Sequence, residues 1–449
     1  MNQISSIRSA LYSLIIVAAA IGLFLYSQIS KYPIEYNNIS FIFAYILMLV
    51  FISMPVLISE SISGFLSKKK LSGSLHYMTK SNRLRFVSLL SLLLAGLILI
   101  IVINNMSLLT TSLVYTSHWY MDHSPEKTLY IIHQYALTIS VALSVLMIVI
   151  LFITQTAKRF LNLSAAFSTL GIACLIGLFI MNSITFKAGV ITTDFFIPNF
   201  SLLTKQQVWI NALTLALFSG LIGLGINTVF GTYLTAQCSI RRFSWIFIIG
   251  SVIAAIVIML IQNFYVKSTK SASEILGFEY AYTLNLLAFG LFFFCLLTAA
   301  ILLCQTFKGL VTQNIKNTKW YVYLPFFILL LAAVIIYQHI VKDEFKQIIQ
   351  SELIINLIFV ITYIEILIFG WIFDAQRLSY QLQKATQIKL SAIYNLSLRL
   401  IAPSIILSAF IQKIYNIWVV TNWLTMLVIF ILSLIVTTLF GSFLHRHFQ

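Results

Sequence analysis

Blocks of consecutive apolar residues, parted by short polar stretches, recur from one end of the chain to the other. Each block has roughly 20 residues, the length a helix needs to cross the hydrocarbon core of a bilayer. The apolar residues follow one another rather than alternating, which is the pattern of a spanning helix and not of a barrel strand. Lipid offers the backbone no hydrogen-bond partners, so a spanning segment closes its bonds within itself. The pattern predicts twelve spans, over residues 8–30, 39–64, 84–113, 130–155, 161–183, 208–236, 242–266, 281–311, 320–341, 353–376, 391–414 and 418–443. The longest connection has about 25 residues, too few for a soluble catalytic domain. The first block leads straight into a second without a small-residue cleavage site, so it reads as a retained helix and not a signal peptide.

Composition agrees: 60% of residues are apolar and 9% charged, against about 25% charged in a soluble domain. The net charge of +16 raises the question of nucleic acid, but its distribution answers it. The even-numbered connections and both tails hold cations, among them Lys68, Lys69, Lys70, Arg83, Lys158, Arg241, Arg242, Arg377 and Arg446. The odd-numbered connections balance lysine with acid. Lysine and arginine are retained on the cytoplasmic side, so the expected topology is a multi-pass inner (plasma) membrane protein with both termini in the cytoplasm. Its expected partners are lipid and a small molecule, with no nucleic acid.

The chemistry of an enzyme is missing from the sequence. Cys174, Cys238, Cys295 and Cys304 form no CxxC pair, and the seven histidines show no ligand spacing. His123 and His133 flank the start of span 4 without a motif. No carboxylate–histidine or serine–histidine set assembles at membrane depth, so no enzyme is expected.

Interruptions within spans are the more informative positions, because freed backbone groups near the midplane can hold ions and small polar ligands. Span 6, VWINALTLALFSGLIGLGINTVFGTYL, places Ser219, Gly220, Gly223 and Gly225 in its middle. Three glycines in six residues admit two readings: local unwinding, or close helix packing. Span 1 has only Gly22 before the polar cluster Tyr26, Ser27 and Gln28, followed by Lys31, Tyr32 and Pro33. Span 2 carries Pro55 and Glu60, and a carboxylate there is either functional or reaches back to water. Asn104 and Asn105 in span 3 either bond to neighbouring helices or line a substrate path. Thr298 and Gln305 lie in span 8, and Glu365 and Asp374 in and after span 10.

These stretches resemble the neurotransmitter:sodium symporter family. FFIPNFSLLTKQQVWINALTLALFSGLIGLGINTVFGTY is similar to that family's outer loop and sixth helix. FAYILMLVFISMPVLISESISGF resembles its second helix. LLTAAILLCQ resembles the eighth. IEILIFGWIFDAQRLSYQLQKATQIKLSAIYNLSLRLIAPSIIL resembles the tenth helix through the eleventh. The likeness implies an all-α LeuT-type fold of two inverted five-helix repeats, residues 1–183 and 184–376, with spans 11 and 12 in residues 377–449. It implies secondary transport of an amino acid or related amine by alternating access, coupled to Na+. By position, Phe218, Ser219, Gly220, Gly223, Asn104 and Asn105 would meet substrate. Gly22, Ser219, Cys295 and Thr298 would serve sodium. Lys31 and Glu352 would form an outer gate, Glu60 would brace the unwound segment, and Gln313 would stand at the inner gate.

The departures from the family are as specific as the matches. Span 1 lacks the glycine–asparagine pattern, Ala299 stands where a second hydroxyl belongs, and no Asn or acid occurs from Cys238 to Met259. Sodium must exchange its water shell for several oxygens, and about half of each cage is visible. Two alternatives therefore stand beside sodium symport: transport on the same fold without sodium, and a non-transporting membrane sensor or scaffold.

Overall fold

A computed structural model of the chain describes residues 2–29, 31–69, 71–81, 84–118, 135, 138–147, 149–150, 153–154, 156–185, 195–234, 239–267, 278–312, 324–386, 389–415 and 423–448. His123, His133, Cys238 and Gln313 lie outside these residues. Helices and short turns make up the described residues.

Eight helices among the described residues are long and apolar enough to cross a membrane. They are Ile39–Ser67, Phe86–Thr110, Lys158–Ile184, Arg242–Asn263, Leu286–Phe307, Ile354–Ile372, Ala392–Lys413 and Leu427–His447, the expected spans 2, 3, 5, 7, 8, 10, 11 and 12. The shorter apolar helices Ala10–Leu25, Thr138–Met147 and Ile328–Gln338 take the places of spans 1, 4 and 9. The remaining span, 6, is divided into Gln206–Ser219 and Ile226–Tyr233. The chain is thus a polytopic α-helical membrane protein with the expected order of elements.

Burial concentrates on spans 1, 2, 6 and 8. In span 6 every residue from Ile210 to Gly231 is buried. Span 12, by contrast, has 17% of its apolar window buried and lies at the periphery. A helix that is apolar on all sides and buried belongs at the centre of the bundle.

Two features of local sequence shape this centre. Small residues let the second half of span 2, Met54–Ser67, cross the second half of span 6 at backbone contact. A Cβ on Gly64 would run into the Thr228 carbonyl, and one on Gly231 into that of Ser61. Neither helix can carry a side chain at the crossing, so the two halves pack backbone to backbone. Second, five-residue π-helical segments interrupt spans 1 (Ile21–Leu25), 2 (Leu49–Ser53), 10 (Ile349–Leu353 and Ile368–Ile372) and 11 (Ser397–Ile401). Such widened turns are uncommon and cluster at functional sites.

At the end of the bundle shared by the basic connections, Arg399 pairs with Asp374 and its Nε donates to the Gly370 carbonyl at 3.2 Å. The Trp371 indole N–H donates to the Arg399 carbonyl at 3.0 Å, which ties span 10 to span 11.

Candidate functional site

Unwinding, rather than packing alone, is what the glycines of span 6 produce. The helix ends at Ser219, six residues leave helical geometry, and a second helix starts at Ile226. Gly223 and Gly225 have φ of +76° and +70°, a region where a Cβ is costly, and Leu221 is forced to +49°.

Freed backbone groups at this depth need partners, and Glu60 supplies them. Its side chain is wholly buried. The Gly223 N–H donates to one carboxylate oxygen at 2.9 Å, and the Asn227 amide donates to the other at 2.7 Å. Asn227 also donates to the Gly220 carbonyl at 2.8 Å, closing a ring across the break. Glu60 therefore holds the two sides of the break in span 6 and does not reach back to water. Glu365 of span 10 is equally buried, and neither of its carboxyl oxygens has a hydrogen-bond partner among the described residues.

Above the break, the Phe218 ring stacks on Phe24 of span 1, with centroids 3.9 Å apart and planes 9° from parallel. The two rings together cover the break, and Phe24 is a partner the sequence reading did not name. Ser219 donates to the Leu215 carbonyl at 2.7 Å, so the Tyr45 hydroxyl, 2.5 Å away, donates to Ser219. Gly220 packs against the Ser53 hydroxyl.

A cavity of about 100 Å³ opens above Phe24, between spans 1, 3, 8 and 10. Its walls include Ile98, Ile101, Val102, Leu296 and Ile354. Its polar groups are Gln28, Lys31, Asn105 and Gln350. Of the two asparagines expected to meet substrate, Asn105 lines this space and Asn104 does not. Gln350 donates to the Tyr337 hydroxyl at 2.9 Å. Tyr32, beside Lys31, donates to the Asn211 carbonyl at 3.1 Å and ties the end of span 1 to span 6. Burial pushes the Tyr32 phenol well above its ordinary pKa, with Tyr45 adding to the effect. Partial burial pulls the Lys31 ammonium below the ordinary lysine range.

One expected pair is not formed. Among the described residues no carboxylate is within ion-pair distance of Lys31, and Glu352 is not on the cavity wall. The physical reason is the π-helical turn Ile349–Leu353, which places Gln350 rather than Glu352 on the cavity wall.

The residues carried over for sodium lie on spans 1, 6 and 8. Gly22 is pressed onto span 8: a Cβ there would be 2.5 Å from the Cys295 carbonyl carbon and 2.6 Å from the Leu296 nitrogen. Cys295 offers a soft thiol, Ala299 offers nothing, and Thr298 is the single hydroxyl, donating to the Phe294 carbonyl at 2.8 Å. At the other expected position Ser219 is the only carried-over side-chain oxygen. A hard cation needs several oxygens, so backbone carbonyls would have to supply the rest. Three or more His, Cys, Asp or Glu do not converge on a metal position among the described residues.

Asn227, Phe24, Gln28, Tyr45 and Gln350 are the site residues that sequence reasoning missed as such. Asn227 lies one helical turn beyond Gly223, a spacing that points back at the break. Gln28 belongs to a polar cluster that stood out in the sequence without a role.

No protein-family model and no curated protein matches the chain. Among solved structures it is similar to MhsT, crystallised in complex with L-phenylalanine, with a TM-score of 0.68 and 16% identity. The match covers 90% of this chain and 98% of that one. The likeness therefore extends over nearly the full length of both proteins, and this chain has the multi-pass helical fold of MhsT, as the family resemblance implied.

Proposed function

We infer that this chain is a secondary transporter, carrying a small organic solute across the membrane by alternating access between two faces of the bundle. The observation that carries this reading is the divided span 6, braced by Glu60 and covered by the Phe24–Phe218 stack. A static anchor or scaffold has no need of an interrupted helix at midplane, whose broken turn costs hydrogen bonds unless a dedicated acid restores them. The complex of MhsT with L-phenylalanine supports an amino acid as the solute class, on the same fold. The chain is proposed to be built of two inverted repeats, residues 1–183 and 184–376, and the basic connections support cytoplasmic termini in a plasma membrane.

The thin donor set around Gly22, Ser219, Cys295 and Thr298 supports transport without tight sodium coupling, so no step is assigned to sodium. The test is the melting temperature of the purified protein against a panel of amino acids and amines, in sodium and in potassium, followed by uptake into proteoliposomes. A ligand that binds only the folded state raises the melting temperature. Equal stabilisation in both salts, with uptake of the same compound, is expected. Stabilisation confined to sodium would restore the sodium-coupled reading. Binding with no uptake under any gradient would favour a sensor.

A further inference from the structure

The cavity above Phe24 has polar groups with unused hydrogen-bonding capacity. Gln28 is 5% exposed, and its carboxamide makes no hydrogen bond to any described residue. The side chains of Lys31 and Asn105 make none to the described residues either. Burying the Gln28 carboxamide without a partner is costly, and with half-buried Asn105 and exposed Lys31 beside it on one small cavity it marks a place prepared for something else. The fourth polar lining residue, Gln350, is turned to Tyr337.

The character of the three groups is one-sided. Lys31 brings an ammonium with three donors, and each carboxamide brings two more. No acid is among the described residues that line the cavity, and Glu352, two residues beyond Gln350, is not on its wall. Among the described residues the site therefore presents one fixed positive charge with no acid beside it. Below the polar rim the walls are aliphatic, with Ile98, Leu296 and Ile354 leading down to the aromatic floor. At about 100 Å³ the space is well below the ~300–1,000 Å³ of drug-sized ligand sites, so the ligand is compact.

Resting on the transport reading and narrowing it, we propose that this cavity binds a compact apolar monocarboxylate, with Lys31 as counter-ion, Gln28 and Asn105 as carboxylate donors, and the aliphatic walls around its body. Carboxylate and ammonium form a charge-assisted contact, and the pair enters the bundle as a neutral unit. An α-amino group is tolerated but contributes no recognition, and an amine lacking a carboxylate is repelled by Lys31. The expectation of amino acids or amines thus divides: acids bind, amines do not.

Three compounds with one hydrocarbon body separate the possibilities: 4-methylpentanoate, L-leucine and isoamylamine, which carry a carboxylate, both groups and an amine. Affinities are measured by calorimetry on the full-length detergent-purified protein, for wild type, Lys31→Met and Lys31→Arg. The two carboxylates bind wild type and isoamylamine does not. Lys31→Met weakens 4-methylpentanoate at least tenfold, Lys31→Arg restores it, and both variants melt like wild type without ligand. Isoamylamine binding as tightly as 4-methylpentanoate overturns the proposal, as does full affinity in Lys31→Met or failure of both carboxylates to bind. Uptake into proteoliposomes is scored separately. Carboxylates that bind but are not carried refute transport and leave the site assignment intact, whereas uptake of isoamylamine alone refutes the site and leaves transport intact.

Discussion

Spans 1 and 6 meet at the Phe24–Phe218 stack, yet they are interrupted by different physical means. Span 6 leaves helical geometry altogether, and its break is held by polar bonds: Glu60 to Gly223 and Asn227, and Asn227 to Gly220. Span 1 only widens into a π-helical turn at Ile21–Leu25, whose side chains are all apolar, and is held by the seating of Gly22 on span 8. A break that exposes backbone groups needs a charged or polar brace at membrane depth. A widened turn that keeps most of its internal bonds needs only close packing. The difference teaches that one interrupted helix of this chain is held by polar bonds and the other by steric contact.

Removing the polar brace is the strongest way to break this contrast. Glu60→Leu leaves the Gly223 N–H and one N–H of the Asn227 amide buried without acceptors, while the amide keeps its bond to Gly220, at about 1–3 kcal/mol for each orphaned N–H and therefore about 2–6 kcal/mol together. The expected outcome is a large fall in melting temperature in detergent and loss of any substrate-dependent stabilisation. Glu60→Gln, which keeps one acceptor, falls between. Should Glu60→Leu melt like wild type, the brace has no structural weight and the midplane break must be held by packing, as in span 1.

The counterpart on span 1 is Gly22→Ala. The added Cβ meets backbone rather than a flexible side chain, so spans 1 and 8 must part. Overpacking of this kind costs about 1–3 kcal/mol. A parted interface would also reopen the space between Gly22 and Cys295. The measurement is thermal stability together with labelling of Cys295 by a small thiol reagent, which reaches the thiol in the variant and not in wild type, where Cys295 is fully buried. Unchanged stability with no labelling would show that span 1 yields without strain and that its contact with span 8 is not what holds it.

Much of this arrangement was legible in the chain. Uninterrupted apolar blocks of bilayer length place the spans because lipid permits few other backbone solutions, and Gly223 and Gly225 announced a break in span 6. Glu60 was conspicuous as an acid in an apolar helix. The bonds it makes were only implied by resemblance, since they depend on how span 2 crosses span 6, and that crossing is set by Gly64 and Gly231 far along the chain from each other. The failure at Lys31 and Glu352 has a similar cause: a single widened turn rotates everything beyond it, and no residue type in IQSEL signals the turn. Span 1 was silent for the opposite reason. A π-helical segment made of Ile, Gly, Leu, Phe and Leu has the same apolar pattern as an ordinary helix.

A smaller effect separates the two uses of glycine. Gly223→Ala places a Cβ at φ +76°, a left-handed conformation that costs an L-residue about 1–2 kcal/mol, and brings that Cβ to 3.1 Å from the Ile361 side chain. The loss should be smaller than that of Glu60→Leu, because the Gly223 N–H keeps its acceptor. A double variant with Glu60→Leu tests whether the two act through one bond. If they do, the combined loss is less than the sum of the single losses.

The smallest expected effect is at Thr298, and it decides most about ion coupling. Thr298→Val removes a hydroxyl that donates to the Phe294 carbonyl within its own helix. The carbonyl keeps its helical bond and no group is orphaned, so stability should change by less than ~1 kcal/mol. Were Thr298 a ligand of a sodium ion, the variant would lose a sodium-dependent gain in melting temperature that wild type shows over potassium. If transport runs without sodium, wild type shows no such gain, and the variant and wild type melt alike in the two salts. A gain present in wild type and abolished in Thr298→Val would mean that span 1 and span 8 part to admit the ion, and that the steric seat of Gly22 is one state of a moving contact rather than a closed one.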